Sequence, residues 1–218
     1  MSYIEQTKLV AEFTNFLRNA DILTTTQRGV TTTTGSFTSS QTGSETFTLT
    51  HTNCKNVRSV TYDSDVLVYG QDYTINIDTA TVTILSVVPS KSVVVSYDYG
   101  TGDKIYDDYP RQDLTISSYP RIGFGIYGFR SNLAGFGNVL RSNWRFDVRI
   151  YGTSTGGTDS LLDTLRQKII AARNSLYYCS YVFPGSVLDL GYYDTEKGKN
   201  KIYVKGLDVM SENNYEIN

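Results

Sequence analysis

The strongest constraint on the fold is a series of short segments between residues 45 and 100 in which apolar and polar side chains alternate. Phe47 and Leu49 alternate with threonines, and Val93 and Val95 begin a similar run that ends in tyrosines. A period of two is typical of strands with one solvent-facing side. About six such segments, separated by turn residues, predict a small all-β sandwich over residues 45–100.

Composition agrees with strands and excludes some functions. The chain has 18 tyrosines, 18 glycines and only 4 prolines. Its 20 basic and 22 acidic side chains nearly cancel, so no overall field would hold nucleic acid or an anionic membrane. No run of about 18 apolar residues and no signal-like N-terminus is present, which predicts a soluble protein that is not exported. Cys54 and Cys179 lie far apart, without metal-site spacing, so we expect no disulfide, metal or cofactor.

The remaining chain predicts a second, α+β domain. Residues 1–22 are assigned to it as an amphipathic helix over 3–20, with Leu9, Phe13 and Leu17 at helical spacing. Residues 23–44 are rich in Thr, Ser, Gly and Gln and are interpreted as a polar linker. Residues 101–218 complete the domain.

Within 101–218 the pattern alternates between strand and helix. Strands are predicted over 121–127 and 145–151, where Phe146, Val148 and Ile150 share one face. A long helix over 159–178 follows, and strands over 182–190 and 201–210 close the domain, with a bulge at Gly206. The predicted fold is α+β: an antiparallel or mixed sheet packed by the N-terminal helix and one long helix, with an inserted all-β sandwich.

Few residues offer catalytic chemistry. Gly123, Gly125 and Gly128 match G-x-G-x-x-G, which binds nucleotides when it precedes a helix. Here the glycines lie in a predicted strand, which favours close packing of another strand or chain. His51 is the only histidine and is interpreted as a half-buried strand residue. The acid pairs Asp63/Asp65 and Asp107/Asp108, which could be catalytic or calcium ligands, are interpreted as solvated turn residues. We therefore expect no enzyme.

Five arginines make a local basic surface in the second domain. They lie among aromatic residues, so single-stranded nucleic acid is one alternative, but the apolar parity favours a protein interface. The acidic C-terminal stretch with Asp208, Glu212 and Glu216, from a neighbouring subunit, is a candidate partner. The arginines are Arg121, Arg130, Arg141, Arg145 and Arg149, and the predicted subunit interface consists of Arg121, Arg145, Arg149 and Tyr151.

Two parts of the chain resemble known families. The segments Gly70-Gln-Asp-Tyr-Thr-Ile and Ser92-Val-Val-Val-Ser-Tyr-Asp-Tyr resemble small β modules inserted in structural proteins of tailed bacteriophages. The helix 3–20, the run from Tyr119 to Ile150 and the long helix are similar in order to the phage tail terminator family.

This resemblance implies a function in the virion, with assembly in the host cytoplasm. Terminators close the tail tube with a ring, commonly hexameric, and join it to the neck and head-completion proteins; they have no catalytic residues. DNA passing through such a ring needs no specific site, and no membrane is involved. The alternative is another virion component, such as a decoration, baseplate or fibre-adaptor subunit, in which the sandwich is a binding module.

Overall fold

The computed structural model describes residues 6–109, 118–133, 139–194 and 200–216. It confirms an α+β protein in which strands predominate. The elements in chain order are α1 (Gln6–Asn19), α2 (Thr25–Arg28), β1 (Thr31–Thr38), β2 (Gly43–Thr48), β3 (Cys54–Tyr62), β4 (Asp65–Val66), β5 (Tyr73–Asn76), β6 (Thr81–Val87), β7 (Ser92–Tyr99), β8 (Ile105–Tyr106), β9 (Arg121–Leu133), β10 (Val139–Gly152), α3 (Thr155–Ala171), β11 (Val182–Asp194) and β12 (Lys201–Glu216).

The chain divides into two compact units. Unit 1 contains Met1–Leu23 and Lys104–Asn218, and unit 2 contains Thr24–Asp103. Unit 1 holds a five-stranded sheet in the order β11-β12-β10-β9-β8. All neighbouring pairs in it are antiparallel except β8 with β9.

The core face of this sheet follows the predicted alternation. Phe146, Val148 and Ile150 of β10 are fully buried. Phe13 of α1 stacks on Phe146 with ring centroids 4.4 Å apart and meets Phe124 edge-on at 5.1 Å. Apolar residues of α3 belong to the same cluster. Both helices therefore bury their apolar stripes against one face of the sheet.

A buried carboxylate connects α1 to the segment after α3. Glu12 accepts hydrogen bonds from the backbone N–H of Tyr177 at 2.7 Å and of Cys179 at 2.6 Å. Burial raises the pKa of Glu12, while these backbone hydrogen bonds partly oppose the rise. One side chain thus satisfies two N–H groups of a segment that has no regular structure of its own.

The long helix was predicted with the wrong ends. It spans Thr155–Ala171, not 159–178. The Ser154 side chain caps it by accepting from the Gly157 N–H at 3.2 Å, and two glycines in the first turn concealed this start because they are weak helix formers. The chain beyond Ala172 leaves the helix and meets Glu12. The N-terminal helix begins at Gln6 among described residues, and residues 3–5 of its predicted range lie outside them.

No bulge occurs at Gly206. The pairing of β12 with β10 is continuous there, with Arg149 opposite Gly206, and the irregularities lie on β11 instead. The apolar parity changes because β12 contributes to both faces: Leu207 belongs to the main core, whereas Val204 belongs to a small cluster on the opposite face.

Unit 2 contains two sheets that share one apolar cluster. The four-stranded sheet has the order β1-β7-β3-β4, and the three-stranded sheet has the order β2-β6-β5. Side chains such as Val60 and Tyr97 from the first sheet and Val82 and Ile84 from the second are buried together. The predicted alternation in 45–100 therefore corresponds to real strands.

The interpretation of residues 23–44 as a linker was wrong. Residues 25–28 form a helical turn that ends at Gly29 with φ of 71°, and β1 pairs with β7 along its whole length, from Thr31 opposite Tyr99 to Thr38 opposite Ser92. The segment looks like a linker in sequence because β1 is a polar edge strand. Its stability comes from backbone pairing with β7, which composition does not reveal.

A buried ion network lies at the start and end of unit 2. Arg28 and Asp98, both with fully buried side chains, pair at 3.0 Å. Arg28 also donates to Asn56 Oδ1 at 2.7 Å and lies 3.8 Å from Asp103. Asp98 in turn accepts from Arg58 Nε at 2.7 Å and Thr32 Oγ1 at 2.6 Å.

The charge balance of this network favours an ionised Asp98. Burial alone would raise its pKa, but hydrogen bonds from Arg58 and Thr32, with the charges of Arg58 and Arg28, hold the pKa of Asp98 below its ordinary value. A buried charge that is paired on both oxygens is costly to disturb, because removing one partner leaves the others unpaired.

Candidate interaction surface

The face of the unit 1 sheet opposite the helices carries alternating arginines and acids. On β10 the side chains of Arg145, Asp147 and Arg149 occupy this outer face. Arg149 pairs with Asp147 at 2.7 Å. Tyr109 donates from its hydroxyl to both the Asp147 carbonyl and carboxylate at 3.1 Å, and the Arg149 guanidinium lies 4.3 Å from the centre of the Tyr109 ring.

The glycine row of β9 is covered by the same chain. A Cβ added at Gly123 would collide with the carbonyl oxygen of Asp108, and one at Gly125 would lie 3.1 Å from the Tyr109 hydroxyl. The expected close packing against glycines therefore occurs, but the packing segment comes from within unit 1. The G-x-G-x-x-G match lies in a strand and not before a helix, so it lacks the geometry of a nucleotide site.

Two of the four predicted interface residues are buried within unit 1. Arg121 is 8% exposed and Tyr151 is 5% exposed. Arg121 pairs with Asp108 at 2.6 Å and lies 3.8 Å from the centre of the Tyr106 ring, and Tyr151 packs in a cluster with Tyr119, Ile202 and Val204. The strand parity was correct, but this end of the outer face is covered by the chain itself.

The other two predicted interface residues, Arg145 and Arg149, are partly exposed and already paired. Arg145 lies 3.2 Å from Asp208, which also accepts from the Tyr127 hydroxyl at 2.6 Å. Arg141 pairs with Glu212. The acidic partners expected from a neighbouring subunit, Asp208 and Glu212, are thus used within one chain; the side chain of Glu216 lies outside the described residues.

The tyrosines of this face remain neutral donors at neutral pH. Burial, followed by the charge and the hydrogen bond of Asp147, raises the pKa of Tyr109 to about 12. Burial and the hydrogen bond to Asp208 also raise the pKa of Tyr127. The hydroxyls of Tyr109 and Tyr127 therefore keep their protons at neutral pH and remain hydrogen-bond donors to Asp147 and Asp208.

The sheet has a long open edge that the sequence analysis did not identify. β11 is the outermost strand, and no strand in the described part of the chain pairs with its outer side. Large apolar side chains are exposed along it: Val187, Leu188, Leu190 and Tyr192. Natural proteins usually shorten, charge or cover such an edge, because its free N–H and C=O groups recruit another strand. The sequence shows the apolar run but not its exposure.

The opposite side of the sheet is open along part of its length. β8 pairs with β9 only at Ile122 and Gly123, so residues 124–133 have no described strand on that side. Tyr127 and Phe129 are exposed there. Tyr127 shares the outer face with Gly123 and Gly125, and a bulge between the pairs at Arg145 and Phe146 shifts the alternation after it, so that Gly128 lies opposite Arg145.

The remaining candidates occupy structural positions. His51 is half-buried and lies after β2, outside any strand, with its ring stacked 3.6 Å from Tyr99. Asp63 lies in a turn and pairs with Lys91. Cys54 and Cys179 are buried thiols and form no disulfide with each other. Among the described residues no group of His, Cys, Asp or Glu could hold a metal ion, and no helix there is long and apolar enough to cross a membrane.

Comparisons with family models, with curated proteins and with solved structures found no match for this chain. The geometry defines a class of protein: an α+β unit with a five-stranded sheet. One face of the sheet is covered by helices, and the charged side chains of the other face pair with each other within the chain. Its exposed apolar side chains are concentrated near the two open edges, which makes the edges the candidate interaction surface.

Proposed function

We propose that this chain is a structural subunit of a tailed virus, assembled in the host cytoplasm, that forms a homo-oligomeric ring at the head-tail junction. The ring closes the tail tube and joins it to the neck and head-completion proteins. The chain acts by assembly, without catalysis, cofactor or membrane. The open edge of β11 is the observation that carries the proposal, because a thirteen-residue strand with four exposed large apolar side chains is suited to contact with another subunit.

The outer face supports an assembly role in a second way. Its ion pairs and tyrosine hydrogen bonds are satisfied within the chain, so the sheet is a preformed platform that loses little conformational entropy on association. The resemblance to terminators supplies the ring and its position, and the hexamer is the expected stoichiometry.

In this proposal unit 2 is a β-sandwich inserted into the α+β domain. Its two sheets share one apolar cluster, and β1, its first strand, pairs with β7, which brings the incoming and outgoing chain together. An insertion of this kind costs its host mainly loop-closure entropy. In the ring the sandwich would be a docking module for neighbouring virion proteins.

The experiment is to measure the mass and shape of the purified full chain. Sedimentation velocity over a range of concentrations and negative-stain images should give closed rings, with a mass of about six chains. Trimers would favour the alternative of a decoration, baseplate or fibre-adaptor subunit, for which the exposed Val66 and Leu85 of unit 2 are candidate contact residues. A monomer at all concentrations would contradict both assignments.

A further inference from the structure

We infer that the open edge of β11 in one copy of this chain pairs with the open section of β9, residues 124–133, in a second copy, so that one sheet continues into the next. The inference rests on the proposed ring, since a closed ring needs two different surfaces on each subunit. Among the strands that the structure describes, the unit 1 sheet has two different open edges of similar length.

Charge distinguishes this pairing from the pairing of like edges. β11 carries Asp189 and Asp194 and no Lys or Arg, whereas the open section of β9 carries Arg130 and no acid. Arg130 is exposed and makes no ion pair with any residue that the structure describes. The Asp189 side chain stays 69% exposed although it contacts Lys205. Two copies of β11 side by side would bring acids together, and two copies of β9 would bring arginines together. Only the unlike pairing places opposite charges across the new contact.

Strand direction is also consistent with a head-to-tail repeat. β9, β10, β12 and β11 are successive antiparallel neighbours, so β9 and β11 run in opposite directions within one subunit. A ring axis that runs roughly along the strands preserves those directions, and β11 of the next copy would then meet β9 as an antiparallel strand. The new pair would use the ladder geometry that already joins the other long strands.

Apolar side chains flank both edges. Tyr127 and Phe129 lie on the open section of β9, and Leu188, Leu190 and Tyr192 lie on β11. Pairing the edges would bring these side chains within reach of one another as cross-strand neighbours. The same contact would remove from water most of the large apolar side chains that unit 1 exposes near its sheet edges.

The test uses charge reversal on each edge of the full chain. One variant carries Arg130→Glu, and the other carries Asp189→Lys together with Asp194→Lys so that the result does not depend on register. Each should raise the concentration needed for half-maximal assembly about tenfold or more, because like charges then face each other. An equimolar mixture of the two should assemble almost as well as the native chain, since the acidic side chain introduced by Arg130→Glu would meet the new lysines and native edges would meet each other.

The controls are Arg166→Glu and Asp163→Lys, the same reversals on the exposed surface of α3, which should leave assembly unchanged. Urea unfolding followed by fluorescence of Trp144 shows whether each variant is folded. If a reversed variant unfolds, Arg130→Gln and Asp189→Asn/Asp194→Asn take its place and should each weaken assembly about threefold.

Three outcomes are decisive. Loss of assembly in both variants and recovery on mixing supports the unlike pairing. If the native chain forms oligomers and the variants assemble equally well, or if mixing restores nothing, the edge pairing is wrong while the proposed function stands. If the native chain is a monomer, both the edge pairing and the proposed ring are wrong.

Discussion

Replacing Asp98 by asparagine should strongly destabilise unit 2. The substitution keeps the shape of the side chain but removes the charge that faces Arg28 and Arg58. Its amide group would also point a donor at groups that are donors themselves. Removal of one partner from a buried ion pair costs about 3–5 kcal/mol. A unit of about 80 residues has a free energy of unfolding of about 8 kcal/mol, so the loss is a large fraction of it.

Urea unfolding of the full chain can assign this loss to unit 2. Trp144 is the only tryptophan and lies in the core of unit 1, so its fluorescence follows unit 1, while far-UV circular dichroism follows both units. With a urea dependence of about 1.5 kcal/mol per molar, a loss of about 3–5 kcal/mol means that Asp98→Asn should move the unit 2 transition to lower urea by about 2–3 M. The fluorescence midpoint should not move.

Asp63→Asn is the matched control, because Asp63 is half exposed and its ion pair with Lys91 lies on the surface of the same unit. It should change the free energy of unfolding by less than about 1 kcal/mol. A loss for Asp98→Asn no larger than that of the control would refute the assignment of stability to the network.

The pH dependence of the same unfolding transition is an independent test of the contribution of Asp98 to stability. The pKa of Asp98 is lower in the folded chain than its ordinary value of 3.8. Its contribution is therefore fully present above that value and is lost as the pH falls through the lower, folded-state pKa. The difference in stability between the native chain and Asp98→Asn should shrink below about pH 4; a difference that stays constant into strong acid would contradict this.

Two further predictions concern unit 1 and use the midpoint of Trp144 fluorescence in urea. Glu12→Gln should lower the free energy of unfolding by about 2–3 kcal/mol, since the single amide oxygen replaces only one of the two carboxylate oxygens that now accept N–H groups. The control is Asp163→Asn on the exposed surface of α3. An equal effect of the two substitutions would contradict the role of Glu12. Gly123→Ala should cost about 1–3 kcal/mol, because its Cβ meets the backbone oxygen of Asp108. Gly128→Ala, whose Cβ meets only the flexible Arg145 side chain at 3.4 Å, should change it by less than about 1 kcal/mol, and equal effects would show that the covering segment yields.

Alternation predicted those strands whose buried face is decided by the local sequence. The row of Phe146, Val148 and Ile150 is an example, because each alternate side chain must leave water whatever the rest of the chain does. The same rule could not find β1, whose threonines are partly exposed on both faces and which is fixed by pairing with β7, far along the chain. It also could not find Arg28, since nothing near it in sequence indicates that Asp98 is its partner.

The predicted interface was wrong for Arg121 and Tyr151, because other segments of the same chain cover them. Arg121 and Tyr151 occupy the outer face as parity predicts, but the segment around Asp108 and the cluster with Tyr119 and Val204 bury them. Such coverage depends on loop paths, which periodicity does not encode. For the same reason the sequence predicted β11 as a strand but not as an edge strand. The exposure of its apolar side chains follows from its place at the edge of the sheet, which the sequence does not reveal.

The pairing of β1 with β7 has a mechanical consequence. Because Thr31 lies opposite Tyr99, tension applied through the two ends of unit 2 would pull the strands apart from that end, one pair of hydrogen bonds at a time. Such peeling is the direction in which a ladder resists least, since its bonds break in succession and do not share the load. Arg28 holds Asp98 and Asp103 at the point where peeling would begin, and Gly100 lets the two chain segments approach until a Cβ there would lie 2.7 Å from the Gly29 oxygen. The ion network therefore holds the two ends of unit 2 together. The force needed to open unit 2 should depend on this network more than on the hydrogen bonds between β1 and β7.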